Sequence, residues 1–314
     1  MNDTHKNFQN IGICLLVLAA LTFAAYYLAP IAKPLEESGL DQSPAAMGLR
    51  FLFMVIGAAL VLGLVYATLK NEAWEIDAQK VVYMSVGSVL GGVLMWLTNG
   101  LTFNIPTLSQ VGFHPALVVA VFFGFMYGPA VGLMVGSGSY LLGDLFLGSV
   151  APHWIIGYGL IGLCAGLSNL FEDKKQAWDV AAILTGLGGL VAAAFFLANP
   201  GIKFAAPPDL KPVDLSLFMG LSVLIGGALA ITVRFAFPNR LRWATATAWG
   251  AAGTVSGLFL AAIVEVWVSN TTLMDAVIGR FIPSAGPAMI AIAILVPLIM
   301  ALQTAAQASE AQGK

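Results

Sequence analysis

The sequence predicts an all-α fold, a polytopic membrane bundle of about ten transmembrane helices, and three observations predict it. Hydrophobic residues make up 59% of the 314 and charged ones only 10%, with mean hydropathy +0.88; a soluble domain carries about 25% charged residues. Apolar stretches of roughly 20 residues, the length that crosses a bilayer as a helix, recur from end to end and leave no room for a soluble domain. Lysine and arginine gather in alternate connections, as a fixed membrane topology requires.

Ten spans follow, at 11–29, 51–69, 81–101, 113–127, 129–148, 152–171, 178–198, 215–237, 244–268 and 283–306. The first, from Ile11, reads as a retained helix and not a cleaved signal. Its flank carries His5 and Lys6 opposite Asp3, and no A-x-A site follows. The second span leads into an acidic linker, "NEAWEIDAQK", at 71–80. In the third, "SVGSVLGGVLMW", Gly87 and Gly91, or Ser88 and Gly92, place small residues one turn apart, and Trp96 and Asn99 close the helix.

The connection "TFNIPTLSQVG", 102–112, has no charge and contains Asn104 and Gln110. Such a segment suits a lid resting on a cavity, or equally a loop packed on its neighbours. His114 opens the fourth span, which is joined to the fifth by only Gly128 and Pro129, so the two form an antiparallel hairpin. Gly128, Gly132 and Gly136 recur at one-turn spacing and let another helix backbone approach. Pro129 stands at the first helical position, where its missing N–H is harmless.

Asp144 is harder to place, because an aspartate at mid-bilayer costs about 2.5–3.5 kcal/mol on insertion scales. Tyr140 and Ser137 share its helix face, a polar stripe that should look into the bundle. Alternatively, Asp144 caps a neighbouring helix or reaches the interface. Glu265 in "FLAAIVEVWVSN" is the second such carboxylate, with Thr254 and Thr247 on its face. His153 and Trp154 open the sixth span, Trp267 and Asn270 end the ninth, and Arg280 precedes the tenth. Together Trp96, Asn99, Asn104, His114, Tyr140, Asp144, His153, Trp154, Glu265 and Arg280 make a candidate ligand site, with aromatic faces and a few polar groups. Interfacial preference alone also accounts for tryptophan and tyrosine at this level.

With the N-terminus inside, nine cations (Lys6, Lys70, Lys80, Lys174, Lys175, Arg234, Arg240, Arg242, Lys314) face the cytoplasm and five (Lys33, Arg50, Lys203, Lys211, Arg280) the exterior. Both termini are therefore expected in the cytoplasm. A phosphate loop, H-E-x-x-H and G-x-S-x-G are all missing. Cys14 and Cys164 lie within apolar spans and suggest neither a disulfide nor a metal site. The expectation is a non-enzyme without cofactor or metal, and a net charge of −2 offers nothing to nucleic acid.

"HPALVVAVFFGFMYGPAVGLMVGSGSYLLGDLF" resembles the second and third helices of substrate-binding S components of energy-coupling factor (ECF) transporters. "GLIGLCAGLSNLFEDKK" is similar to their fourth helix and "FIPSAGPAMIAIAILVPLI" to their last, while the small residues at 87–92 resemble the pattern with which the family's first helix docks on a coupling subunit. The resemblance covers 81–171 and 244–306. It implies capture of a vitamin or related metabolite from outside the plasma membrane under a lid at 102–112. A transmembrane coupling subunit and two ATPase subunits would act in trans. Family members usually have six helices. The expected division is thus an additional hairpin and linker at 1–80, core helices at 81–171, an inserted hairpin at 172–243, and the last two core helices with the tail at 244–314. Two other readings stay open: a proton-coupled secondary transporter, and a non-transporting assembly subunit of a membrane complex.

Overall fold

A computed structural model describes residues 3–32, 43–68, 71–98, 102–103, 111–112, 115–148, 150–199, 203–204, 213–214 and 216–312. Its long helices are α1 (Asp3–Ala32), α2 (Pro44–Ala67), α3 (Ala78–Thr98), α4 (Ala116–Tyr127), α5 (Pro129–Leu147), α6 (Pro152–Leu167) and α7 (Lys174–Ala198). After the single turn α8 (Leu217–Gly220) come α9 (Ser222–Ala236), α10 (Leu241–Val268), the single turn α11 (Leu273–Ala276) and α12 (Ile282–Gln312). Eight helices among the described residues are long and apolar enough to cross a membrane, and the shorter apolar α4 and α9 lie at the other two expected positions. The chain is a polytopic helical membrane bundle.

Local chemistry sets several boundaries. Ser43 caps α2 by accepting the Ala46 N–H, with Pro44 in the first turn, so α2 begins seven residues before the expected 51. Asp173 caps α7 by accepting the Lys175 N–H at 2.8 Å. Two connections carry two-residue antiparallel ladders: β1 (Thr102–Phe103) with β2 (Val111–Gly112), and β3 (Lys203–Phe204) with β4 (Val213–Asp214). The rest of the expected lid, 104–110, lies outside the described residues.

α5, α6, α10 and α12 form the inside of the bundle, and α4 packs on all four. The pair α1–α2 lies against α5 and α6, while α7 and α9 pack on α10 and α12. Outer helices turn leucine, isoleucine and valine outward, Leu16, Leu60, Val86 and Leu190 among them. Lipid tails are as apolar as these side chains, so such faces carry no penalty in a bilayer and close packing must hold the helices together.

That packing is tightest where α5 crosses α6. A Cβ on Gly132 or Gly136 would run into the backbone of Gly162 or Tyr158, respectively. Gly128 has another role. At φ 105° it makes the α4–α5 joint, and the linker carbonyl of Ala73 lies 2.7 Å from where its Cβ would stand. The linker is pinned there by Trp74, fully buried, whose Nε1–H donates to Thr68 Oγ1 at 2.9 Å. Gly128→Ala should therefore lose at least ~1–2 kcal/mol from the left-handed backbone alone, read as a lower Tm in detergent. An unchanged Tm would show that the joint relaxes.

Candidate functional site

The two buried carboxylates lie at the same end of the bundle, beside the start of α2, the end of α5, the start of α6, the end of α10 and the segment before α12. The opposite end carries the cations Lys80, Lys174, Lys175, Arg234, Arg240 and Arg242, interleaved with the carboxylates Glu72, Glu75, Asp77, Glu172, Asp173 and Asp179.

Glu265, 3% exposed, is the hub. Its Oε1 accepts from His153 Nε2 at 3.0 Å and from Trp154 Nε1–H at 3.4 Å, and Ser269 Oγ–H donates to Oε2. His153 is fully buried, and its Nδ1 has no partner among the described residues. A carboxylate only accepts, so Nε2 carries the proton facing Glu265, and in the neutral ring Nδ1 is an open acceptor.

Asp144, also 3% exposed, accepts the Ala151 N–H at 2.9 Å and so fastens the start of α6 to the end of α5. It is a helix-end cap, one of the alternatives its sequence context allowed. Tyr140 lies within range of both Asp144 and Glu265, and its ring centroid is 4.2 Å from that of Tyr158. Arg280 lies in a π-helical turn at Val277–Phe281 and is exposed. Such turns are frequent at functional sites.

Of the residues expected here, the structure brings together Tyr140, Asp144, His153, Trp154, Glu265 and Arg280. Trp96 does not join them. It is 52% exposed on the outer face of α3, tilted against Phe146, where an indole suits the membrane interface. Asn99, Asn104 and His114 lie outside the described residues. Thr247 and Thr254 add no polar stripe, since each hydroxyl bonds a carbonyl one turn back in its own helix. Gly87, Ser88, Gly91 and Gly92 are packing positions turned inward on α5, where they meet Val135, Met134, Ser139 and Leu142; they do not form an outward docking face.

Three members of the cluster were missed. Arg50 read as a loop cation before a span at 51, yet it lies in the second turn of α2 and is 1% exposed. Tyr158 sits in "IIGYGLIG", where nothing local marks it, and Ser269 is a serine at a helix end, a common place for one.

Comparison with known proteins adds an independent line. A family model described as "ECF-type riboflavin transporter, S component" matches residues 75–200, which span α3 to α7 and so run on past residue 171. A UPF0397 protein of Aliivibrio fischeri strain MJ11 is 35% identical over 166 residues, 49% of this chain and 83% of the relative. A UPF0397 protein of Aliivibrio salmonicida strain LFI1238 is 36% identical over 103 residues, 32% of this chain and 54% of the relative. No solved structure matches the chain. With a relative matched over most of its length and the family model on α3–α7, the chain belongs to the ECF transporter S-component family that includes the UPF0397 proteins.

Proposed function

We propose that this chain is the membrane-embedded capture subunit of an ATP-driven importer in the plasma membrane, taking riboflavin or a vitamin of similar size from the outer side. Both termini are cytoplasmic in this reading, and the 102–112 connection serves as the lid. A transmembrane coupling subunit and two ATPase subunits supply the energy. The chain itself does no chemistry and needs no cofactor.

The observation that carries the reading is the buried cluster around Glu265, with His153, Trp154, Tyr140 and Asp144 at one end of an otherwise apolar bundle. Ionisable groups at such depth are expensive in a membrane and mark a ligand or ion path by default. The aromatic rings offer a face to a flat molecule, and the open His153 Nδ1 accepts one N–H or O–H from it. Placing Arg50 inside α2 also leaves only four of the five cations first counted on the outer side, which sharpens the charge bias.

Two experiments test this. Gentle purification from the native host should bring a coupling subunit and ATPases with the chain; another membrane complex in their place would replace capture with assembly. Titration of the purified chain with riboflavin should show saturable binding that Asp144→Asn weakens roughly tenfold or more, the scale of one charge-assisted hydrogen bond. Wild-type affinity in that variant would remove Asp144 from the site.

A further inference from the structure

The end of the bundle opposite Glu265 holds a cavity of about 360 Å³ between the start of α10 and the C-terminal part of α12. Asn239, Arg240 and Arg242 line it from the α10 side, and Gln303 and Gln307, about one turn apart, line it from α12. Each arginine is held by a ring. The guanidinium carbon of Arg240 stands 5.2 Å from the centre of the Trp243 ring, and that of Arg242 stands 5.9 Å from the centre of Phe125 at the end of α4. Arg242 Nη2 also lies 3.6 Å from Met126 Sδ. A ring or a thioether positions a guanidinium but leaves its charge and most of its N–H groups unused. Carboxylates are present at this end, and one forms an ion pair, Asp179 with Lys175 at 2.9 Å. Among the described residues neither Arg240 nor Arg242 enters an ion pair, and Glu310, one turn beyond Gln307, meets neither of them.

We propose that this cavity binds the phosphate headgroup of an anionic phospholipid in the adjoining leaflet. Membrane topology needs only a surplus of cations on one side and is indifferent to where their side chains point. Here two guanidiniums with fixed positions border one cavity, together with the carboxamides of Asn239, Gln303 and Gln307. The planar guanidinium fork matches a pair of phosphate oxygens, and the carboxamides offer N–H donors to the remaining oxygens of a headgroup. Basic pockets between membrane helices are where anionic headgroups lodge. The surroundings favour a lipid over a free phosphate. Leu298 and Leu302 of α12 are 53% and 62% exposed one turn apart, so this helix faces hydrocarbon up to the level of Gln303. Trp243, whose ring also meets Phe237 at 5.5 Å, has the place an indole prefers, between lipid tail and headgroup. Such a lipid bridges α10 and α12 and offsets the repulsion between two unpaired cations. It stabilises the bundle without entering the site around Glu265.

The full chain, purified in neutral detergent, is titrated with dioleoyl phosphatidylglycerol, with bound lipid counted by native mass spectrometry and the Tm followed alongside. One tightly bound lipid and a higher Tm are expected. Dioleoyl phosphatidylcholine has the same tails but no net charge and should bind roughly tenfold weaker or worse. Inorganic phosphate at the same concentration should leave the Tm unchanged. Arg240→Gln with Arg242→Gln should weaken phosphatidylglycerol binding roughly 30-fold, because each cation at an anionic headgroup contributes about a factor of five. Both side chains are exposed, so this variant folds. Lys175→Gln, which removes an exposed cation of the same end, should change the affinity less than about twofold. Equal binding of the two lipids, an equal loss in Lys175→Gln, or wild-type affinity in the double arginine variant overturns the proposal. A Tm rise with inorganic phosphate that matches the lipid's replaces the lipid with a free anion and overturns it as well. None of these outcomes bears on capture, which stands or falls on the riboflavin titration.

Discussion

Glu265→Ala is expected to abolish riboflavin binding, weakening it about 100-fold or more, and to lower the Tm of the purified chain. The reason is the number of donors that meet at one carboxylate. His153 Nε2, Trp154 Nε1 and Ser269 Oγ all point at it from α6 and from the end of α10. In alanine's place each would lose its acceptor, and an unmatched buried donor costs about 1–3 kcal/mol. The imidazole would be free to turn, so Nδ1 would no longer be presented in one orientation. Glu265→Gln separates the two contributions. It keeps the shape and one acceptor oxygen but turns a donor toward a donor, so it should retain more stability than alanine while still losing affinity. Titration and thermal unfolding on the three proteins check this. Binding that survives Glu265→Ala at wild-type strength would mean that the cluster is a structural tie between α6 and α10 and that capture happens elsewhere.

The parts of this arrangement that could be read from sequence share one property: each is an exception within its own helix. Asp144 and Glu265 are lone charges in apolar runs, and the glycines at 128, 132 and 136 recur at the helical period, so neither needs knowledge of a partner. What a side chain meets was not legible. His153 and Glu265 are 112 residues apart, and only the packing of α6 on α10 makes them a pair. Arg50 was hidden by an error of boundary. The apolar run at 51 looked like the start of the span, while the Ser43 cap and Pro44 begin the helix earlier and carry the arginine inside. Trp96 erred the other way. A tryptophan at a helix end serves a pocket or an interface equally well, and the face of α3 that carries it looks outward. The small residues of α3 had two possible neighbours, and the structure turns them toward α5.

Gly132→Ala is expected to be strongly damaging for a single added methyl. A Cβ at this position meets the carbonyl carbon and oxygen of Gly162 on α6 and stands 2.7 Å from the Cα of Gly124 on α4. All of these are backbone atoms, so no rotamer change can relieve the contact and the helices themselves must separate. In a bilayer that separation is costly, because close van der Waals packing, with no hydrophobic drive between helices, is what holds α5 to α6. Intrinsic helix propensity pulls the other way, favouring alanine over glycine by ~1 kcal/mol. Gly63 in α2 isolates that term: it is exposed, and nothing lies within 4 Å of its would-be Cβ. Gly63→Ala should therefore hold or slightly raise the Tm, while the same change at Gly132 lowers it sharply and reduces the yield of monodisperse protein in size-exclusion chromatography. Binding should fall together with stability at Gly132, since α5 carries Tyr140 and Asp144 while α6 carries His153, Trp154 and Tyr158. A wild-type Tm for Gly132→Ala would mean that the two backbones do not touch, and the geometry of the site built on their crossing would fall with it.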